Sequence, residues 1–249
     1  MIILKNLYKF RRSVTERLNF LLSSIDRYNC IYNEKEKENK NKIESEIYIS
    51  TAHDQEEINS LKNAYRFALA HYLTFDFNIF NLNYIHILLN EHVTVRTELI
   101  GRFKDQNNYI VNKYSNESNI IVRCTVKAEY VYFEMIKLID WLNERLNKKD
   151  MHPLIIAAVF CLRFTSIHPY VESNGRMSRI LTTIILLKYE YNLFNNGCLE
   201  NVTYLMNDEY VNSQILMQIE NKMKYRTLVL YLETYLNIIK TGYIIELNK

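Results

Sequence analysis

A chain of 249 residues with a net charge of +3 and 48% hydrophobic residues can bury a sizeable core, and it lacks the basic stripe expected of a nucleic-acid partner. With four Gly and two Pro, it has too few turn formers for an all-β fold, so long helices are expected. Cys30, Cys124, Cys161 and Cys198 form no CxxC pair, so reduced thiols are expected, a disulfide framework being the lesser alternative.

In chain order, Val14, Leu18, Leu21, Leu22 and Ile25 recur at helical spacing and predict a helix over residues 12–29. The mixed-charge run at residues 33–42 has no apolar face and reads as a solvated linker or an exposed helix end. Ile58, Leu61, Ala64, Tyr65 and Ala68 predict a helix over 54–72, and Ile79, Leu82, Ile85, Leu88 and Leu89 another. Tyr109-Ile110-Val111 and Ile120-Ile121-Val122, separated by a turn-like stretch, predict a hairpin. Val131, Met135, Leu138, Leu142 and Leu146 give a helix with Trp141 on or near its packed face. Residues 153–166 are almost wholly apolar, which predicts a helix buried on all sides. Pro153 suits its first turn, and it should end before Pro169. A further core helix starts near Asn174, and helices at 207–220 and 225–240 complete the chain. No apolar run is long enough to span a membrane, and the N-terminus does not read as a signal peptide.

The loop between the two core helices reads His168-Pro169-Tyr170-Val171-Glu172-Ser173-Asn174-Gly175-Arg176-Met177-Ser178-Arg179. A helix start exposes unpaired N–H groups and the positive end of the helix dipole, so it attracts anions. Ser173, Asn174 and Gly175 are small or turn-tolerant and can fold into a nest of amides around phosphate oxygens. Arg176 supplies a fork of donors, and Arg179 follows one turn on. Glu172 beside a bound phosphate calls for a cation such as Mg²⁺. His168 titrates near neutral pH and can take a proton from an attacking hydroxyl. Singly, such residues are usually caps or surface charges; together they point to attack of a hydroxyl on a nucleotide phosphate.

Residues 168–179 resemble the motif of the Fic family, HxFx[D/E]GNGRxxR, with Tyr170 for Phe and Ser173 for the first Gly. His152-Pro153-Leu154 and Phe164-Thr165-Ser166-Ile167 resemble the lead-in helix, and Gly101-Arg102-Phe103-Lys104 with the hairpin resembles the substrate-docking flap. The resemblance covers roughly residues 60–220. It implies an all-α fold, a Fic-type helical bundle with a β-hairpin flap over the active-site loop. The expected organisation is an N-terminal helical extension with a charged linker at 1–59, the Fic domain at 60–220 and a C-terminal helix at 221–249 packing on the same domain.

The same resemblance implies a protein adenylyltransferase that moves AMP from ATP to a protein hydroxyl. His168 would be the general base and Glu172 the Mg²⁺ ligand, with Ser173, Asn174, Gly175, Arg176 and Arg179 at the phosphates. The protein substrate would dock along the hairpin at about 107–122 by strand addition. The family's inhibitory pattern has only a degenerate likeness around Glu46, which leaves regulation open between a separate antitoxin-like partner, self-association and none. The alternatives are a weak or inactive Fic-like binding module and a Doc-type phosphotransferase. Doc-like relatives carry Lys at the place of Gly175, which favours nucleotidyl transfer here. Neither nucleic acid nor membrane is an expected partner, and the expected location is cytoplasmic, with secretion into a host cell left open.

Overall fold

The computed structural model describes residues 12–38, 55–92, 97–111, 121–193 and 225–248. Among them are seven α-helices: α1 (Arg12–Glu38), α2 (Gln55–His71), α3 (Ile79–Leu89), α4 (Ala128–Lys148), α5 (Pro153–Ile167), α6 (Asn174–Leu187) and α7 (Tyr225–Leu247). Two short strands, β1 (Tyr109–Val111) and β2 (Ile121–Cys124), pair antiparallel, with Tyr109 opposite Cys124 and an irregularity between Ile110 and Val111. The predicted hairpin strands therefore pair, while its tip and the helix expected at 207–220 lie outside the described residues. The all-α expectation holds. No helix among the described residues is long and apolar enough to cross a membrane.

The chain forms two compact units. One combines Met1–Tyr48 with Tyr191–Lys249, the other is Ile49–Glu190. In the first, α1 buries Val14, Leu18, Leu22, Ile25 and Tyr32 and packs along α7. The two helices run parallel: Arg17 Nε donates to Glu233, the Tyr243 hydroxyl to Asn29, and Lys35 Nζ to the carbonyl of Leu247. Helix α1 is longer than its apolar spacing indicated and takes in the charged residues through Glu38. Alternating Glu and Lys lack an apolar face but have high helix propensity, so the helix extends at little cost.

The second unit carries the motif. Helix α5 buries Leu154 to Leu162 without a break, as its wholly apolar sequence demands. It packs against α4 on one side and α6 on another, and α6 is also in contact with α2 and α3. Pro153 occupies its first turn and His168 is its C-cap. The motif loop thus leaves one core helix and enters the next.

Candidate active site

Two residues bend the loop. His168 (φ 52°) and Ser173 (φ 60°) both adopt the left-handed conformation, and neither is a glycine. Each costs on the order of 1–2 kcal/mol, so the surroundings must hold them there. The backbone N–H of His168 donates to the Phe164 carbonyl at 2.9 Å, closing α5. At the other bend, Ser173 is the N-cap of α6, and the first backbone bond of that helix runs from the Met177 N–H to the Ser173 carbonyl at 2.8 Å. The N–H groups of Asn174, Gly175 and Arg176 precede that bond, as in any first helical turn.

Behind the loop, its carbonyls find partners. The Lys104 N–H donates to the Pro169 carbonyl at 2.8 Å, and Lys104 Nζ lies 3.3 Å from the Ile167 carbonyl. Asn108 Nδ2 donates to the Tyr170 carbonyl at 3.1 Å. Asn174 is buried and folds back on the loop. Its Oδ1 accepts the Tyr170 N–H at 2.9 Å, and its Nδ2 donates to the carbonyls of Tyr170 (2.8 Å) and Glu172 (3.4 Å). The Asn174 side chain is therefore a brace for the loop.

The remaining motif residues lie nearer the surface. Glu172 and Gly175 are exposed, while His168, Ser173, Arg176 and Arg179 are half-buried. A Cβ on Gly175 would come within 3.3 Å of Arg179 Nη1, so the missing side chain leaves room for that guanidinium. Arg176 pairs with Glu57 of α2, both side chains being largely buried. No cluster of three or more His, Cys, Asp or Glu suited to a metal exists among the described residues. An all-protein metal cage is therefore missing from them. A single exposed carboxylate, Glu172, still fits Mg²⁺ of the kind that takes most of its ligands from phosphate and water.

Sequence reasoning missed the contribution of α3. Asn83, His86 and Asn90 lie three and four residues apart, on one face of the helix and its C-cap. The Tyr170 hydroxyl donates to Asn83 Oδ1 at 2.9 Å, and the Ser173 hydroxyl donates to Asn90 Oδ1 at 2.9 Å. Between them, the His86 ring stacks on Tyr170 with centroids 4.0 Å apart and planes 11° apart. The Gly101 N–H donates to His86 Nδ1 at 3.0 Å, so the ring carries its proton on Nε2. Burial holds the pKa of His86 down at about 4, with the backbone of Glu172 opposing that shift. Burial also raises the Tyr170 phenol above its ordinary range. The available signal was a polar stripe at positions 83, 86 and 90 on a helix whose other face is apolar.

This arrangement, a short loop bent twice between two core helices of an all-helical unit, defines a class of helical domain. Residues 76–186 match the sequence profile described as Fic/DOC family, so this stretch is similar to that family. Protein adenylyltransferase fic-1 of Caenorhabditis briggsae is 32% identical over 63 residues, 25% of this chain and 12% of that protein. A Fido domain-containing protein of Dictyostelium discoideum is 32% identical over 69 residues, 28% of this chain and 48% of its own length. The matched stretch is thus less than half of either relative. Among solved structures, a Fic family protein from Desulfovibrio desulfuricans superposes with a TM-score of 0.65 at 18% identity, covering 97% of this chain and 76% of that one. At that identity the likeness concerns the fold.

Proposed function

We propose that this protein transfers AMP from ATP to a hydroxyl side chain of a protein, with His168 as general base. The observation that carries this reading is the doubly bent loop. It sets a histidine at the end of one core helix and opens the next core helix with three backbone N–H groups followed by Arg176 and Arg179.

In this reading the phosphates rest on the first turn of α6, where the N–H groups of Asn174, Gly175 and Arg176 and the helix dipole favour negative charge. Arg176 and Arg179 add charge-assisted donors. The loop carbonyls that Lys104, Asn108 and Asn174 occupy are kept from facing the anion. Glu172 would hold Mg²⁺, which supplies charge neutralisation at the phosphates. The target hydroxyl oxygen forms a bond to the α-phosphorus while the bond from that phosphorus to pyrophosphate breaks. His168 takes the hydroxyl proton, and pyrophosphate leaves. The β1–β2 ribbon would offer its edge to an extended segment of the target. The adenylyltransferase name of the nematode relative supports the choice of reaction.

The test is labelling with α-³²P-ATP and with γ-³²P-ATP in the presence of Mg²⁺ and cell lysate. Label on protein from the α-phosphate only, lost in His168→Ala, is the expected result. Transfer of the γ-label instead would mean a phosphotransferase. Absence of either label, together with no heat on titrating ATP, would mean a binding module of another kind.

A further inference from the structure

We propose that the α3 face formed by Asn83, His86 and Asn90 is the positioning element of the nucleotide site, and that Asn90 in particular holds Ser173 in the left-handed conformation that opens α6. This rests on the proposed role of the first turn of α6 as the phosphate site.

Ser173 sits in a conformation that a side chain resists, with φ 60° and ψ 12°. Its hydroxyl makes no capping bond to α6. It reaches away to Asn90 Oδ1 at 2.9 Å. The Asn90 amide cannot turn freely, because its Nδ2 donates to the His86 carbonyl at 2.7 Å. Its donor end therefore closes α3, and its acceptor end is left facing Ser173. The opposite end of the loop is held from the same face, by Asn83 on the Tyr170 hydroxyl and by His86 stacked on the Tyr170 ring. Two hydroxyls that a glycine and a phenylalanine would lack thus each meet an asparagine, one turn to either side of the same histidine. The direction of the first-turn N–H groups follows from the backbone at Ser173, so a loosened Ser173 would misdirect them without unfolding the domain.

The experiment uses the full chain in five forms: the parent, Asn90→Ala, Ser173→Ala, Ser173→Gly, and Asn90→Ala combined with Ser173→Gly. ATP affinity with Mg²⁺ is measured by calorimetry well below the unfolding midpoint, so that it reports the folded protein, and urea unfolding is measured alongside. Asn90→Ala and Ser173→Ala are each expected to weaken ATP binding roughly tenfold. In the Ser173→Gly background, Asn90→Ala is expected to change affinity less than about twofold, because a glycine adopts the left-handed conformation without the bond. Equal losses from Asn90→Ala in both backgrounds, or no loss in the parent, would overturn the proposal. Should Asn90→Ala not fold, Ser173→Ala against Ser173→Gly decides the same question. If the parent itself gives no heat with ATP, the nucleotide reading fails, and the urea data judge the contact alone. Asn90→Ala must then cost less stability beside Ser173→Gly than in the parent, and additive costs would sink it.

Discussion

Three residues govern how the motif loop responds to change. Arg176 is held by Glu57, so a phosphate arriving at Arg176 must compete with that carboxylate. Glu57→Gln is expected to tighten ATP binding several-fold and to lower stability slightly, by calorimetry and thermal melting. A loss of affinity would mean that the ion pair prepares the arginine and does not compete for it. His86 provides a pH signature. Its folded pKa is about 4 against an ordinary 6.5, so between those values the unfolded chain binds more protons than the native one. Stability is then fully present above pH 6.5 and falls as pH is lowered toward 4, with a loss of about 2 kcal/mol between pH 7 and pH 5 from this group. Urea unfolding at the two pH values should show that loss, and His86→Gln should remove its share. The motif residues themselves were legible because their residue types state their chemistry. Glu57, Asn83, His86, Asn90 and Lys104 were not, because each acts through a partner up to 119 positions away, and sequence spacing carries no information about such pairs.

At the scale of elements, the ribbon and the loop are tied by one buried ammonium. Lys104 Nζ donates to Asn108 Oδ1 at 2.6 Å and to the Thr125 hydroxyl at 2.7 Å, and also approaches the Ile167 carbonyl. Asn108 precedes β1 and Thr125 follows β2, so the lysine ties both strands, at the base of the ribbon, to the end of α5. Lys104→Met is expected to cost on the order of 2–3 kcal/mol in urea unfolding, because buried acceptors lose a charged donor. Gly101 just upstream has φ +72°, and a Cβ there would lie 2.7 Å from Ile87 Cγ1. Gly101→Ala should therefore destabilise α3 against this segment, by more than the roughly 1 kcal/mol that the same replacement can add where the backbone suits alanine. Helices α2 to α6 were readable from apolar spacing, and α5 from its unbroken apolar run. The C-terminal end of α1 was not, since a charged run records helix propensity without the periodicity that marks a packed face.

Across the whole molecule, the division into two units does not follow chain order, and composition gave no sign of it. One unit is a continuous stretch, whereas the other is made from both ends of the sequence. Apolar spacing identified α1 and α7 as helices but could not say that they pack on each other. Removing residues 225–249 should expose the α1 stripe of Val14, Leu18, Leu22 and Ile25, seen as dye binding and self-association on size exclusion.

The parallel pairing of α1 with α7 has a consequence for the ribosome. The partners Arg17 and Glu233 are 216 positions apart. At about 5–20 residues per second, α1 leaves the exit tunnel with its apolar stripe bare and waits roughly 10–40 s for its covering helix to be made. Through that interval the stripe is open to chaperones and to neighbouring nascent chains, and the unit that carries the motif is synthesised within it, before the covering helix.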